Sequence, residues 1–253
     1  MRGYLITDFT RPTASELSNQ LSHILDLVVI DPVWIRSDKE LAVQSDQVVF
    51  KARHIHSPLR GEVGCALAHR NACESLLASD QGFCAVFEDD VRILDATELA
   101  VRMGFFEQVL TQEFACVINL NPDAAKRPIW TRKRNINKEW KPAIPTYTTS
   151  AYLINRRAAE LIIREQTPIR SQADWPFRID QVVFYQEGST GLLRVEEIPS
   201  VIDPDRKRSR FPLRIKVGLW TWLWYLRYQD NFSGPADYWA RVLKPRLYRH
   251  IYR

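Results

Sequence analysis

Short apolar runs alternating with amphipathic stretches fill the first two hundred residues of the chain. Residues 3–7 predict a first strand. Residues 13–25 predict a helix, with Thr13 in the N-cap position and Glu16 at capping-box spacing. A second strand follows at 27–30, and 36–60 carries no clear period and reads as a loop region. From 61 to 78, Val63, Leu67, Arg70, Cys73 and Leu77 recur at helical spacing. Strands are predicted at 83–87, 114–120, 149–155 and 192–198, helices at 98–110 and 157–165, and a further element at 181–185. Strands alternating with helices imply an α/β fold on a mostly parallel sheet.

Composition supports a folded body with an unusual end. The chain has 253 residues, 45% of them apolar, enough for a substantial core. Its net charge of +5 is unevenly placed. Residues 206–253 hold twelve Lys/Arg against two acids, a net +10, which leaves −5 on residues 1–205. The same tail carries Trp220, Trp222, Trp224 and Trp239, four of the eight tryptophans. The expected organisation is therefore an α/β domain over 1–205 and a basic, Trp-rich helical extension over 206–253.

The four cysteines, Cys65, Cys73, Cys84 and Cys116, form no CxxC pair and no zinc-finger spacing. They suggest a reducing compartment without disulfides. The opening apolar run breaks too early for a signal peptide. No stretch approaches the roughly 18–20 apolar residues of a spanning helix. The expectation is a cytosolic protein.

Chemistry concentrates where the 83–87 run ends in Glu88-Asp89-Asp90. Open α/β sheets bind ligands at the carboxyl ends of their strands. Three acids there repel one another unless a positive charge sits among them. A hard divalent cation bridging to phosphate oxygens is the natural partner. A solvated acidic turn is the plainer alternative.

Three separated segments together resemble glycosyltransferase family 25, the bacterial lipopolysaccharide hexosyltransferases. Gly61-Glu62-Val63-Gly64-Cys65-Ala66-Leu67-Ala68-His69 is similar to the family's Gly-Glu-x-x-Cys-x-x-Ser-His helix start. Val86-Phe87-Glu88-Asp89-Asp90-Val91 is close to its acidic strand end. Thr148-Thr149-Ser150-Ala151-Tyr152-Leu153-Ile154-Asn155 is similar to its Thr-x-x-Tyr-x-Ile-Ser segment. Ala173-Asp174 and Ile198-Pro199-Ser200-Val201 match more weakly. Two departures stand out: the family's opening Ile-Asn-Leu appears as Leu5-Ile6-Thr7-Asp8 with Arg11 nearby, and the Ser before His is Ala68.

The resemblance implies a GT-A-like three-layer α/β/α fold and inverting transfer of glucose or galactose from a UDP-sugar. It implies Mn²⁺, or Mg²⁺, on the diphosphate, with Asp90 as direct ligand and Glu88 beside it. Asp89, His69 and Glu62 then fall on the donor side, although Glu62 equally suits a helix first turn. Thr149, Ser150 and Ala151 would line the sugar pocket. Asp174, or second Asp180, would be the base that deprotonates the acceptor hydroxyl. The implied acceptor is a lipooligosaccharide inner-core sugar, whose anionic groups suit a basic run over 126–141 that includes Arg127, Arg132 and Arg134. A solvated charge run is the plainer account of that stretch.

In the tail, the tryptophans lie among arginines and lysines, a combination that favours the surface of an anionic membrane. That would place the enzyme on the inner face of the cytoplasmic membrane. Packing on the catalytic domain or on another subunit of a homo-oligomer is the alternative. Two other functions compete. A nucleic-acid-binding protein would use the basic aromatic tail, but no recognised module is visible and the acidic body opposes a polyanion. A metal-dependent phosphohydrolase lacks a nucleophilic Asp motif.

Overall fold

The computed structural model describes residues 1–54, 57–120, 141–142, 149–173, 182–186 and 192–196. Asp174, Asp180, Arg127, Arg132, Arg134 and the 206–253 extension lie outside the described residues.

A seven-stranded sheet forms the centre, in the order β2-β1-β3-β7-β5-β8-β6. Its strands are β1 (Arg2–Ile6), β2 (Asp26–Ile30), β3 (Phe83–Glu88), β5 (Ala115–Asn119), β6 (Lys141–Pro142), β7 (Ala151–Asn155) and β8 (Val182–Gln186). β1 pairs parallel with both β2 and β3, and β5 pairs parallel with β8. β7 runs antiparallel to β3 and β5, and β6 antiparallel to β8. Five strands therefore share one direction and two oppose it. A two-stranded sheet of β4 (Val91–Ile93) and β9 (Leu193–Val195) stands apart.

Alternate residues of each strand face opposite helix layers, as the period of two requires. Leu5, Ala85, Phe87, Ile118 and Leu153 meet α1 (Pro12–Ser22) and α5 (Ala96–Leu110) through Leu17, Leu21, Leu99, Met103 and Phe106. Tyr4, Cys84, Val86, Val117 and Ile154 meet α4 (Arg60–Ala78) and the helix after β7, α6 (Arg156–Glu165). That second layer packs through small residues, Ala68, Ala72, Ala158 and Ala159, backed by Leu76 and Ile162. The result is the expected three-layer α/β/α architecture with a mostly parallel sheet.

Near the start of α4, Gly64 takes the backbone of Val33 in close approach. A Cβ there would lie 2.1 Å from the Val33 carbonyl oxygen. The glycine thus sets how near the chain leaving β2 can come to the helix.

Two local expectations are corrected. Residues 36–60 are not a plain loop: they hold α2 (Asp38–Gln44) and α3 (Gln47–His54), followed by the start of α4. Ser37 caps α2 by accepting from the Glu40 amide at 3.1 Å. α2 has no buried residue, so no apolar period announces it. The first helix begins at Pro12, whose fixed φ suits the first helical position, with Arg11 as N-cap. Thr13 does not cap it; its hydroxyl donates to the Asp89 carbonyl at 3.0 Å. No helix among the described residues is long and apolar enough to cross a membrane.

Candidate active site at the end of the acidic strand

The chain moves from β1 through α1 to β2 on one side and reaches β3 on the other side of β1. Such a reversal of strand order opens a crevice at the carboxyl ends, the usual ligand position in open α/β sheets. Ile6 and Glu88, the last residues of β1 and β3, are register partners there. The antiparallel β7 brings its first residues to the same edge: Phe87 pairs with Ala151, and the Glu88 amide donates to the Ser150 carbonyl at 2.8 Å.

The three acids have three different environments. Glu88 Oε1 accepts from the Thr149 hydroxyl at 3.0 Å and lies 2.9 Å from His69 Nε2. Burial alone would raise the Glu88 pKa. Hydrogen bonds from His69 and Thr149 and the positive charge of Arg11 outweigh it and hold the carboxyl below its ordinary value. The other ring nitrogen of His69, Nδ1, lies 3.0 Å from the Tyr152 hydroxyl. Burial pushes that phenol well above its ordinary pKa, so it stays protonated and can donate to the imidazole.

Asp89 anchors the loop that follows β1. Its Oδ1 pairs with Arg11 at 2.7 Å and its Oδ2 accepts from the Thr7 hydroxyl at 2.9 Å. The Thr7 hydroxyl also accepts from the Phe9 amide at 2.9 Å. Phe9 itself adopts a left-handed φ of 58°, uncommon for a bulky residue. Burial raises the Asp89 pKa against the opposing pull of Arg11.

Asp90 stands alone. Its backbone is fixed by the amide of Glu196, the residue after β9, 2.8 Å from the Asp90 carbonyl. Its side-chain Oδ1 is buried with no hydrogen-bond partner. Burial first, then the negative charge of Glu88, raises its pKa to about 7. Native proteins rarely leave a buried carboxylate oxygen unpartnered, and a site awaiting an ion is one recognised reason.

The remaining expected residues separate. His69, Glu88, Asp89, Asp90 and Thr149 converge on one edge, and Ser150 joins through its backbone. Glu62 sits about two helical turns before His69. It is buried, accepts from the Leu59 amide at 3.2 Å and is bonded by the Gln172 side chain. It therefore closes the first turn of α4 and does not join the cluster. Ala151 is buried in the apolar layer with Phe87, Leu120 and Leu153, not on an open wall. Sequence reasoning gave no site role to Tyr152, Thr7 or Cys65, and offered Thr13 only as a helix cap. The one available signal was a hydroxyl within or at the end of an otherwise apolar run, as at Tyr152 and Thr7.

No protein-family model and no curated protein matches the chain. Among solved structures it is similar to a mannose-1-phosphate geranyltransferase from Thermus thermophilus, 11% identical. That match covers 83% of this chain and 79% of the other, with a TM-score of 0.44. HddC from Yersinia pseudotuberculosis, complexed with GMP-PN, is 11% identical over 83% and 99%, with a TM-score of 0.44. A glycosyltransferase involved in glycosylating the major capsid of PBCV-1 is 10% identical over 81% and 97%, with a TM-score of 0.39. Likeness at this level assigns neither a family nor an activity.

Proposed function

We propose that this protein is a glycosyltransferase that moves glucose or galactose from a UDP-hexose to a lipooligosaccharide inner-core sugar. The observation that carries the proposal is the buried, unpartnered Asp90 Oδ1 at the switch point of the sheet, beside Glu88. The resemblance of the 61–69, 86–91 and 148–155 segments to glycosyltransferase family 25 supplies the reaction class.

The residues present fit a divalent cation. The donors are hard carboxylate oxygens, and Asp90 offers the atom that lacks a partner. Asp90, with Glu88 beside it, would hold Mn²⁺ or Mg²⁺, which offsets the negative charge of a departing diphosphate. Arg11 and Thr7 fix Asp89 and so hold the acidic turn against the loop after β1. His69 and Thr149 keep the Glu88 carboxylate ionised and oriented. Inversion also needs a base on the acceptor hydroxyl, for which Asp174 is the first candidate and Asp180 the second. Arg127, Arg132 and Arg134 would meet the anionic acceptor, and the 206–253 extension would attach the enzyme to an anionic membrane surface.

Calorimetric titration with UDP-galactose and UDP-glucose, with and without Mn²⁺, tests the donor site. Metal-dependent binding that disappears in Asp90→Asn is the expected result. Failure of both sugars to bind under every condition would overturn the proposal.

A further inference from the structure

We propose that Cys65, His69 and Glu88 form a second, softer metal site, selective for zinc or a zinc-like transition ion, directly behind the acidic turn. One ligand atom from each residue lies within 4.8 Å of the others. Cys65 and His69 are four residues apart on α4, so they share one face of the helix. Glu88 reaches them from the end of β3. Zinc at its ordinary bond lengths of about 2.0–2.3 Å places its ligands roughly 3.3–3.8 Å apart. His69 Nε2 and Glu88 Oε1, now 2.9 Å apart, would open slightly, and the widest separation, at most 4.8 Å, would shorten by about 1 Å, a modest side-chain adjustment.

The two sites share Glu88, but Cys65 and His69 give this one a different ligand chemistry from the Asp90 site. A thiolate and an imidazole favour zinc, cobalt or copper over Mg²⁺ and Mn²⁺, which prefer oxygen. The surroundings already provide the support that a metal-binding histidine needs. With Nε2 on the ion, the imidazole proton moves to Nδ1 and is donated to the Tyr152 hydroxyl 3.0 Å away. The Cys65 thiol loses its proton to solvent as the metal–sulfur bond forms. Cys65 is only partly buried, so an ion can reach it. Cys73, Cys84 and Cys116 are fully buried, and burial pushes the Cys73 and Cys116 thiols to about 12. They do not compete for the ion. Bound metal would clamp α4 to the end of β3, next to the donor crevice.

Full-length protein freed of metal with a chelator and titrated with Co²⁺ tests the site. One equivalent should produce a thiolate-to-cobalt charge-transfer band in the near ultraviolet with visible bands of a tetrahedral ion. Cys65→Ser should abolish the charge-transfer band, and His69→Asn should weaken Co²⁺ binding at least tenfold. Zn²⁺ should displace the Co²⁺ and raise the thermal midpoint of the wild type but not of Cys65→Ser. Asp90→Asn should retain the band, which separates this site from the donor site: the band is expected whether or not UDP-hexose binds. A wild type without the charge-transfer band, or a band that survives in Cys65→Ser, would overturn the proposal.

Discussion

The two ends of the central sheet treat their polar groups in opposite ways. At the end where β7 finishes, Asn155 is used completely. Its Oδ1 accepts from the amides of Cys116 and Ala158, and its Nδ2 donates to the carbonyls of Leu110 and Phe114. Beside it, the Arg156 guanidinium donates to the carbonyls of Leu76, Leu77, Ser79 and Gln81. These include the carbonyls that the last turn of α4 leaves without helical partners. At the other end, three carboxylates crowd together and one buried oxygen of Asp90 has no partner. One end secures the fold, and the other retains an unfavourable arrangement that a ligand can relieve. Sites commonly trade stability for function in this way.

Four substitutions or conditions test that contrast. Asp90→Asn should weaken donor binding at least about 100-fold, worth about 2.7 kcal/mol, without lowering the urea midpoint. A variant that loses stability and binding together would mean that Asp90 belongs to the structural end. Arg156→Ala should cost about 2–3 kcal/mol of stability by denaturant melting, since a charged donor to several carbonyls is removed. Donor affinity of the folded protein should change less than about twofold in the same variant.

The pH dependence gives a third test. The folded pKa of Asp90 lies at about 7 and its ordinary value near 4. Between those values the folded state holds a proton that the unfolded state has released, so stability falls as pH rises. In chelated wild-type protein the decline should exceed that of Asp90→Asn by about 1–2 kcal/mol across the window, given partial solvent access. Equal slopes in equilibrium melts between about pH 4.5 and 7 would remove Asp90 as the source. The smallest effect is expected from Arg11→Ala: about 1 kcal/mol of stability by denaturant melting and about tenfold weaker donor binding by calorimetry. Unaltered binding would show that the Asp89 anchor does not shape the crevice.

The parts of the fold that were legible are those that bury a continuous apolar face. β3, β5 and β7 are runs of buried residues, and α4 and α6 carry recurrent small or aliphatic positions, so periodicity located them. α2 buries nothing and was missed. Thr13 is of a capping residue type, but Pro12 takes the first helical position and leaves the cap to Arg11. Within the site, the acids were legible because charge breaks an apolar strand abruptly. Their partners were not, because sheet order sets those pairings across long stretches of chain. Thr7 meets Asp89, and His69 meets Tyr152, only because β1 and β7 flank β3. Glu62 shows the converse: a motif position next to the right residues in sequence faces a different neighbour in space.

The antiparallel β7 has one more consequence. The chain leaves the rim of the crevice at Leu120 and returns to it at Thr149, and the Leu120 amide bonds the Ala151 carbonyl at 3.0 Å. Departure and return are therefore stitched together at one point of the sheet. The sequence between Leu120 and Thr149 is an exchangeable cassette in the engineering sense. A chimera joined at Leu120 and Thr149 would keep the pairing of β5 with β7 and leave the acids at the end of β3 where they are.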